Sequence, residues 1–203
     1  MDGRLRLVRD LDAARDASSS APLHELGDDD LMKLVAQRVR DAFRTLVTRY
    51  QTRVLSICTR SMGSPDEGRE TAQEVFVSLW QAAPTYDPRG NFPGYLFTLV
   101  RNRLRSVARR RLTSDATVFA LAGEGGSVAP DQLQRLLDAE DERRLRVALA
   151  DLSETHRHAL LLRFTGDLPY EDIAGVCGAP VGTVRSWVHH GIKKLREALG
   201  EMS

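Results

Sequence analysis

The sequence predicts an all-α chain: two small helical domains joined by a flexible linker, the second of them a helix-turn-helix. Three observations carry this. Apolar residues recur at three- and four-residue spacing along most of the chain, and strand-like alternation is scarce. A stretch bearing Gly123-Glu124-Gly125-Gly126-Ser127 and Pro130 divides the helical patterns into two blocks. With 203 residues, 42% of them hydrophobic, there is enough apolar material for one large domain or two small ones.

Taken in order, residues 1–27 hold Ala17-Ser18-Ser19-Ser20-Ala21-Pro22 without sustained periodicity and read as a flexible arm. Asp28-Asp29-Asp30 supplies N-cap chemistry for a helix beginning near Leu31. From Asp41, Phe43, Leu46, Val47, Tyr50, Val54, Ile57 and Cys58 keep helical spacing. Met62-Gly63-Ser64-Pro65-Asp66 ends that helix and caps the next, which carries Ala72, Val75, Phe76, Leu79 and Trp80 on one side. Residues 83–94 are dense in turn formers and read as a loop, and a further helix spans about Tyr95 to Arg111. Residues 28–111 thus form one domain of four helices. Residues 112–138 form the linker, and helical patterns resume over 139–203.

The sharpest stretch is Leu168 to Leu199. Tyr170-Glu171-Asp172-Ile173-Ala174-Gly175-Val176-Cys177 is a short helix broken at Gly178-Ala179-Pro180, and Pro180 suits the first turn of the helix that follows. Ala174 is small where that second helix crosses. Val181, Val184, Val188, Ile192, Leu195 and Leu199 make an apolar stripe, while Thr183, Arg185, Ser186, His189, His190, Lys193 and Lys194 occupy the other surfaces. This is the pattern of a helix-turn-helix whose second helix enters a major groove. Arg185 suits a guanine edge, worth about 1–3 kcal/mol of discrimination. Ser186, His189 and His190 are short enough for nearby bases or phosphates, and Lys193, Lys194 and Arg196 for the backbone. A helical hairpin with a solvated basic face is the plainer alternative, and the turn chemistry argues against it.

The first domain also carries a nucleic-acid signal. Its last helix holds Arg101, Arg103, Arg105, Arg109, Arg110 and Arg111 with no acidic residue, a face that attracts phosphate. Tyr86, Phe92, Tyr95 and Phe97 interleave aromatics with that charge, the combination that holds unstacked bases. Tyr86, Phe92 and Tyr95 equally suit core or loop packing.

Bulk properties exclude other classes. A net charge of +1 argues against a uniformly basic binder, though not against a local footprint. Two distant cysteines, Cys58 and Cys177, fit a reducing cytoplasm and read as core residues rather than redox sensors. No apolar run approaches the roughly 20 residues of a membrane span, and the first ten residues lack a signal core. Glu70 and Glu74 share a helix face, but no nucleophile or phosphate loop accompanies them, so an enzyme with a small-molecule substrate is not expected. The pairs His156/His158 and His189/His190 lack further ligands at metal spacing, so neither a metal nor any cofactor is expected.

Pro180-Val181-Gly182-Thr183-Val184-Arg185-Ser186 closely resembles the recognition-helix motif of the extracytoplasmic-function (ECF) group of sigma-70 family factors. Leu149-Ala150-Asp151-Leu152-Ser153 and Leu160-Leu161-Leu162-Arg163-Phe164 look like the preceding helices of that family's region 4. Gln73-Glu74-Val75-Phe76-Val77-Ser78-Leu79-Trp80 resembles its region 2 polymerase-binding helix, and Phe92 through Asn102 its promoter-melting segment. The likeness runs from about Asp29 to Leu199. Trp187 and Gly191 depart from the usual pattern, as do Tyr95 and the pair Pro93-Gly94, which stiffens and then loosens the melting loop.

The resemblance implies an alternative sigma factor that directs promoter-specific initiation, with region 4 reading the −35 element and region 2 the −10 element. Core RNA polymerase is then a partner: the largest subunit's clamp helices meet Glu70, Gln73, Glu74, Leu79 and Trp80, and the flap region meets the second domain. Promoter DNA is the other, with Tyr86, Asp87, Arg89, Asn91, Phe92, Tyr95, Arg101, Arg103, Arg105 and Arg109 at the −10 element and residues 87–91 around a flipped base. An anti-sigma protein, often membrane-anchored in such systems, is implied as regulator, and Val118-Phe119-Ala120-Leu121-Ala122 in the linker threads toward the polymerase active centre. Opening about ten base pairs costs on the order of 14 kcal/mol at roughly 1.4 kcal/mol per step. One or two captured bases return only about 1–3 kcal/mol each, so melting by this chain alone is not expected. A stand-alone helix-turn-helix regulator explains the second domain but leaves the Gln73-to-Trp80 motif unexplained, and a decoy that binds polymerase without initiating is the other competitor.

Overall fold

The computed structural model describes residues 22–113 and 143–200, and every assigned element among them is helical. The first block contains α1 (Asp28–Ala36), α2 (Arg40–Met62), α3 (Pro65–Ala82), a single 3₁₀ turn (Ala83–Thr85) and α4 (Phe92–Thr113). The second contains α5 (residues 143–150), α6 (Glu154–Phe164), α7 (Tyr170–Cys177) and α8 (Val181–Leu199). Most of the predicted arm and linker, including Val118 to Ala122, lies outside the described residues.

Local chemistry sets most helix ends where the sequence places them. Gly63 ends α2 in the left-handed conformation (φ 73°), and Ser64 caps α3 by accepting from the Glu67 N–H, with Pro65 in its first turn. Ser153 caps α6 through the His156 N–H, and Gly178 ends α7 at φ 63°. Two boundaries differ. Pro180 sits at the N-cap of α8 rather than inside it. α4 begins at Phe92, three residues before the predicted start, so Pro93 and Gly94 lie in its first turn and do not loosen a loop. The reason is Asn91, whose Oδ1 accepts from the Gly94 N–H at 2.9 Å and nucleates that turn. A side chain at Gly94 would collide with the Asn91 amide at 2.8 Å.

The aspartates expected to cap α1 do something else. Gly27 is the N-cap, and Asp28, Asp29 and Asp30 fill the first turn, where the helix dipole favours negative charge. Asp28 receives Arg49 at 2.7 Å and the Tyr50 hydroxyl, which ties α1 to α2.

In the first block α2 is the central element. Leu46, Tyr50, Val54 and Ile57 from α2 meet Val75 and Leu79 of α3 and Leu96, Phe97 and Val100 of α4, all buried. α2 and α3 approach so closely at one point that Gly68 of α3 lies against the Thr59 backbone of α2. In the second block Leu149, Leu160, Leu161, Ile173, Val184 and Val188 are buried between α5 and α8. The departure at Gly191 has its explanation here: a Cβ on Gly191 would sit 2.6 Å from Leu160 Cδ1, where α8 crosses α6. Gly191→Ala should therefore cost about 1–3 kcal/mol through overpacking, partly offset by about 1 kcal/mol of helix propensity. A urea-unfolding midpoint below wild type checks it.

The two blocks touch. α7 packs across α4, and α6 meets the C-terminal half of α2. Arg53 donates to the Gly166 carbonyl at 3.3 Å and Arg60 to the Thr165 hydroxyl at 3.3 Å.

Candidate nucleic-acid interface

α8 sorts its side chains as a groove-reading helix requires. Val184, Val188 and Gly191 are buried, whereas Arg185, Ser186, His189, His190, Lys193 and Lys194 are exposed and Thr183 is half-buried. Arg185 does not hang free. Its guanidinium lies 5.4 Å over the Tyr170 ring and 3.7 Å from Glu171, both at the start of α7. Arg163 of α6 also lies 5.4 Å over Tyr170. His190 Nδ1 meets Ser186 Oγ at 3.2 Å and its carbonyl at 2.7 Å, so these two form one polar unit on the helix surface.

In the first block the loop before α4 is held by one carboxylate. Asp29 accepts from the Tyr86 hydroxyl at 2.5 Å and from the Gly90 N–H at 2.7 Å. Asp87 and Arg89 pair with each other at 2.7 Å within the same loop. The aromatic residues form a chain of rings: Tyr50 to Phe92 at 5.3 Å, Phe92 to Tyr86 at 6.1 Å, and Tyr86 to Tyr95 at 4.8 Å. Phe92 and Phe97 are fully buried and reach no ligand, because the chain must bury the inner face of α4. Tyr86 and Tyr95 stay half-buried and keep outward surface.

The basic helix α4 is only partly available. Arg103 and Glu74 form an ion pair with each other between α4 and α3. Arg103, read as a DNA contact, and Glu74, read as a polymerase contact, thus share charge with each other where the two helices face. Arg101 donates to the Val176 carbonyl at 3.2 Å, and Arg105 lies 3.9 Å from Glu154, both on the second block. Asn91 Nδ2 donates to Asp172 of α7 at 2.8 Å. Arg105 and Arg109 remain exposed.

On α3, Glu70 and Gln73 are exposed, and Val77, which sequence reasoning left aside, is 49% exposed at helical spacing from them. Leu79 is wholly buried and belongs to the core, which corrects its placement at an interface. Trp80 is half-buried, edge-on to Phe43 at 5.1 Å with Arg38 over its ring. The second block also bears an open groove of about 710 Å³, lined by Leu145, Leu149, Leu160, Phe164, Ile192 and Leu195 among others. Phe164 there is 65% exposed.

Two family patterns match the chain: Sigma-70 region 2 over residues 46–113, and Sigma-70, region 4, over residues 142–195. Over 176 residues the chain is 32% identical to the ECF RNA polymerase sigma factor SigK of Mycobacterium sp. (strain JLS), covering 85% of this chain and 90% of that protein. The chain belongs to the ECF group of the sigma-70 family. The factor is also 31% identical to the RNA polymerase sigma-H factor of Pseudomonas aeruginosa, over 85% of this chain and 93% of that one. Its fold matches CnrH in complex with the cytosolic domain of CnrY (TM-score 0.65, 24% identity, 87% of this chain and 99% of that one). It matches the sigma factor RpoE in complex with the anti-sigma factor NepR from Bartonella quintana with TM-score 0.64 and 22% identity, over 81% and 100% of the two chains. Its relatives are transcription factors rather than enzymes, and the unmatched residues 114–141 separate its two regions.

Both of the factor's described thiols are shifted away from reactivity. Burial pushes the Cys58 thiol up to about 12 and raises Cys177 as well, against a smaller opposing effect of Arg101. Both thiols therefore stay protonated, the opposite of a reactive thiolate. Among the described residues no His/Cys/Asp/Glu group could hold a metal, and no helix is long and apolar enough to cross a membrane.

His158 is the exception that affects stability. It is buried between the factor's two regions and its imidazole is lowered to about 4, chiefly by burial, then by Arg157, Arg101 and Arg105. Glu154 lies 3.7 Å away and is half in solvent. A folded value below the unfolded one near 6.5 leaves stability whole above pH 6.5 and erodes it as pH falls toward 4. At pH 5 the loss is on the order of 2 kcal/mol. Urea unfolding at pH 5 and 7.5 checks this: His158→Gln should narrow the difference between the two pH values.

Proposed function

We propose that the factor recruits core RNA polymerase to promoters, with the outer face of α3 addressing the clamp helices and the groove beside Phe164 addressing the flap. α8 addresses the −35 element through Arg185, Ser186, His189 and His190, backed by Lys193 and Lys194 on phosphate. The −10 element falls to Tyr86, Tyr95, Asn91 and the exposed arginines of α4, with the loop around residues 87–91 receiving a flipped base. The observation that carries this reading is the segregation on α8, where Val184, Val188 and Gly191 are buried while Arg185, Ser186, His189, His190, Lys193 and Lys194, each able to reach a base edge or phosphate, are exposed. The polymerase face rests on Glu70, Gln73 and Trp80, to which Val77 adds an apolar centre flanked by polar groups, the anatomy of a protein interface. The domains run over residues 28–111 and 139–203, the cell compartment is the cytoplasm, and an anti-sigma protein covers both regions when the factor is silent. No small molecule, metal or cofactor takes part.

Run-off transcription tests it. Core polymerase plus the factor should give a discrete promoter-dependent transcript that neither gives alone. Specific duplex binding by the free chain, with polymerase adding no transcript, would return the protein to the class of stand-alone regulators.

A further inference from the structure

We infer that His156 and His190, with Lys194 beside them, form a site for one phosphate of the DNA backbone, and that the site takes up a proton as it fills. This deepens the reading proposed above, in which α8 lies against DNA. Two helices build the site. His156, in the first turn of α6, brings its ring to 6.3 Å from that of His190 on α8, and His189 stands edge-on to His190 at 5.8 Å. Lys194 follows His190 one turn later and acts electrostatically on His156. Groups that are cations, or can become cations, thus stand together without a carboxylate among them. α6 and α8 carry one carboxylate each, and both are turned elsewhere: Glu154 toward His158 at 3.7 Å and Arg105 at 3.9 Å, Glu197 toward Lys193 at 3.9 Å. Of the elements packed on α6, α7 has its Glu171 beside Arg185 and its Asp172 held by Asn91. α5 and the C-terminal half of α2 offer only arginines as charged groups, Arg157 of α6 is turned to the Ala150 carbonyl, and Asp151 stands exposed in the turn before α6. Such a cluster repels itself in the free protein, and an anion placed within it reverses the sign of that interaction.

Hydrogen bonding decides what each ring can do. His190 Nδ1 lies 2.7 Å from the Ser186 carbonyl, which only accepts, so this nitrogen carries the hydrogen and donates it. In the neutral ring Nε2 then holds a lone pair. A phosphate oxygen also offers only lone pairs, so His190 meets it only as the imidazolium. His156 Nδ1 lies 2.6 Å from Ser153 Oγ, a hydroxyl that can donate to the neutral ring and accept from the charged one, so this ring keeps its place in both states. Burial, then Lys194, then His190 hold His156 below the usual histidine range, so it is neutral in the free factor at pH 7. A phosphate beside the two rings favours their charged forms. Binding therefore takes up protons, and affinity rises as pH falls through the range around and below about 6.5.

The test binds holoenzyme, made from core polymerase and the intact factor, to a promoter fragment at about pH 6.2 and about pH 8.0, each over a range of salt concentrations. His158 stays neutral throughout that range. Between the two pH values the wild type should gain about 3- to 10-fold more affinity than the double variant His156→Gln/His190→Gln. The wild type's log–log salt dependence should also be steeper at the lower pH by about 0.9, the increment of one phosphate contact. Superimposable pH profiles for wild type and double variant overturn the inference. So does a pH-dependent affinity with the same salt slope at both pH values, since the imidazoles would then be reading a base edge rather than a phosphate. The wild-type salt slopes decide the matter by themselves if the double variant does not fold. Failure to form a promoter complex at either pH ends the reading proposed above, and this inference with it.

Discussion

Arg185→Ala is expected to lower promoter-specific initiation about 5- to 150-fold while binding of core polymerase stays at wild-type strength. The magnitude is that of one bidentate contact to a guanine, about 1–3 kcal/mol. Arg185 points away from the α8 core, so its loss removes no packing. Its place above Tyr170 and beside Glu171 makes the effect sharper than loss of charge alone, because both neighbours fix the direction of the guanidinium before DNA arrives. Arg185→Lys should therefore recover little, since an ammonium lacks the planar fork. Run-off transcription and native-gel binding to core polymerase, measured side by side, check the split. Loss of polymerase binding in either variant would end the division of labour between α3 and α8.

Gly68→Ala is expected to destabilise the first domain by about 2–3 kcal/mol, lowering its thermal midpoint by roughly 10 °C. Replacing glycine inside a helix ordinarily stabilises it by about 1 kcal/mol, so the sign itself is diagnostic. A Cβ at this position would stand 2.5 Å from the Thr59 Cα, and a backbone atom cannot swing aside as a side-chain tip can. α3 would have to lift off α2 along the contact that seats Val75 and Leu79 against Val54 and Ile57. Calorimetry on the variant checks this, and an unchanged or raised midpoint would mean that the helices separate there without cost.

Fold class and most helix boundaries were legible because they rest on local rules: the Gly63-Ser64-Pro65 junction and the Gly178 stop are written in residues a few positions apart. The exposed polar face of α8 was legible for the same reason, since helical periodicity alone decides which side chains point outward. What the chain hides is tertiary pairing. Nothing in sequence spacing tells that Arg103 and Glu74 consume each other, or that Leu79 turns inward beside Trp80, which keeps surface. Asp29 looked like capping chemistry, and its partners stand 57 and 61 residues away. The start of α4 was missed because Pro93 and Gly94 read as loop formers, while the Asn91 cap that overrides them becomes visible only with its backbone partner in place.

Asp29 has a bearing on the energetics of strand capture. A loop that must order itself around an extruded base loses conformational freedom at that moment, at about 1–2 kcal/mol per residue. Here the Tyr86 side chain and the Gly90 backbone are both anchored to one carboxylate on α1, so that entropy is lost during folding rather than during initiation. On the reading proposed above, in which this loop receives a displaced base, the affinity for that base would be set by how rigidly a helix outside the loop holds it, and the first turn of α1 would be a remote tuner of promoter opening.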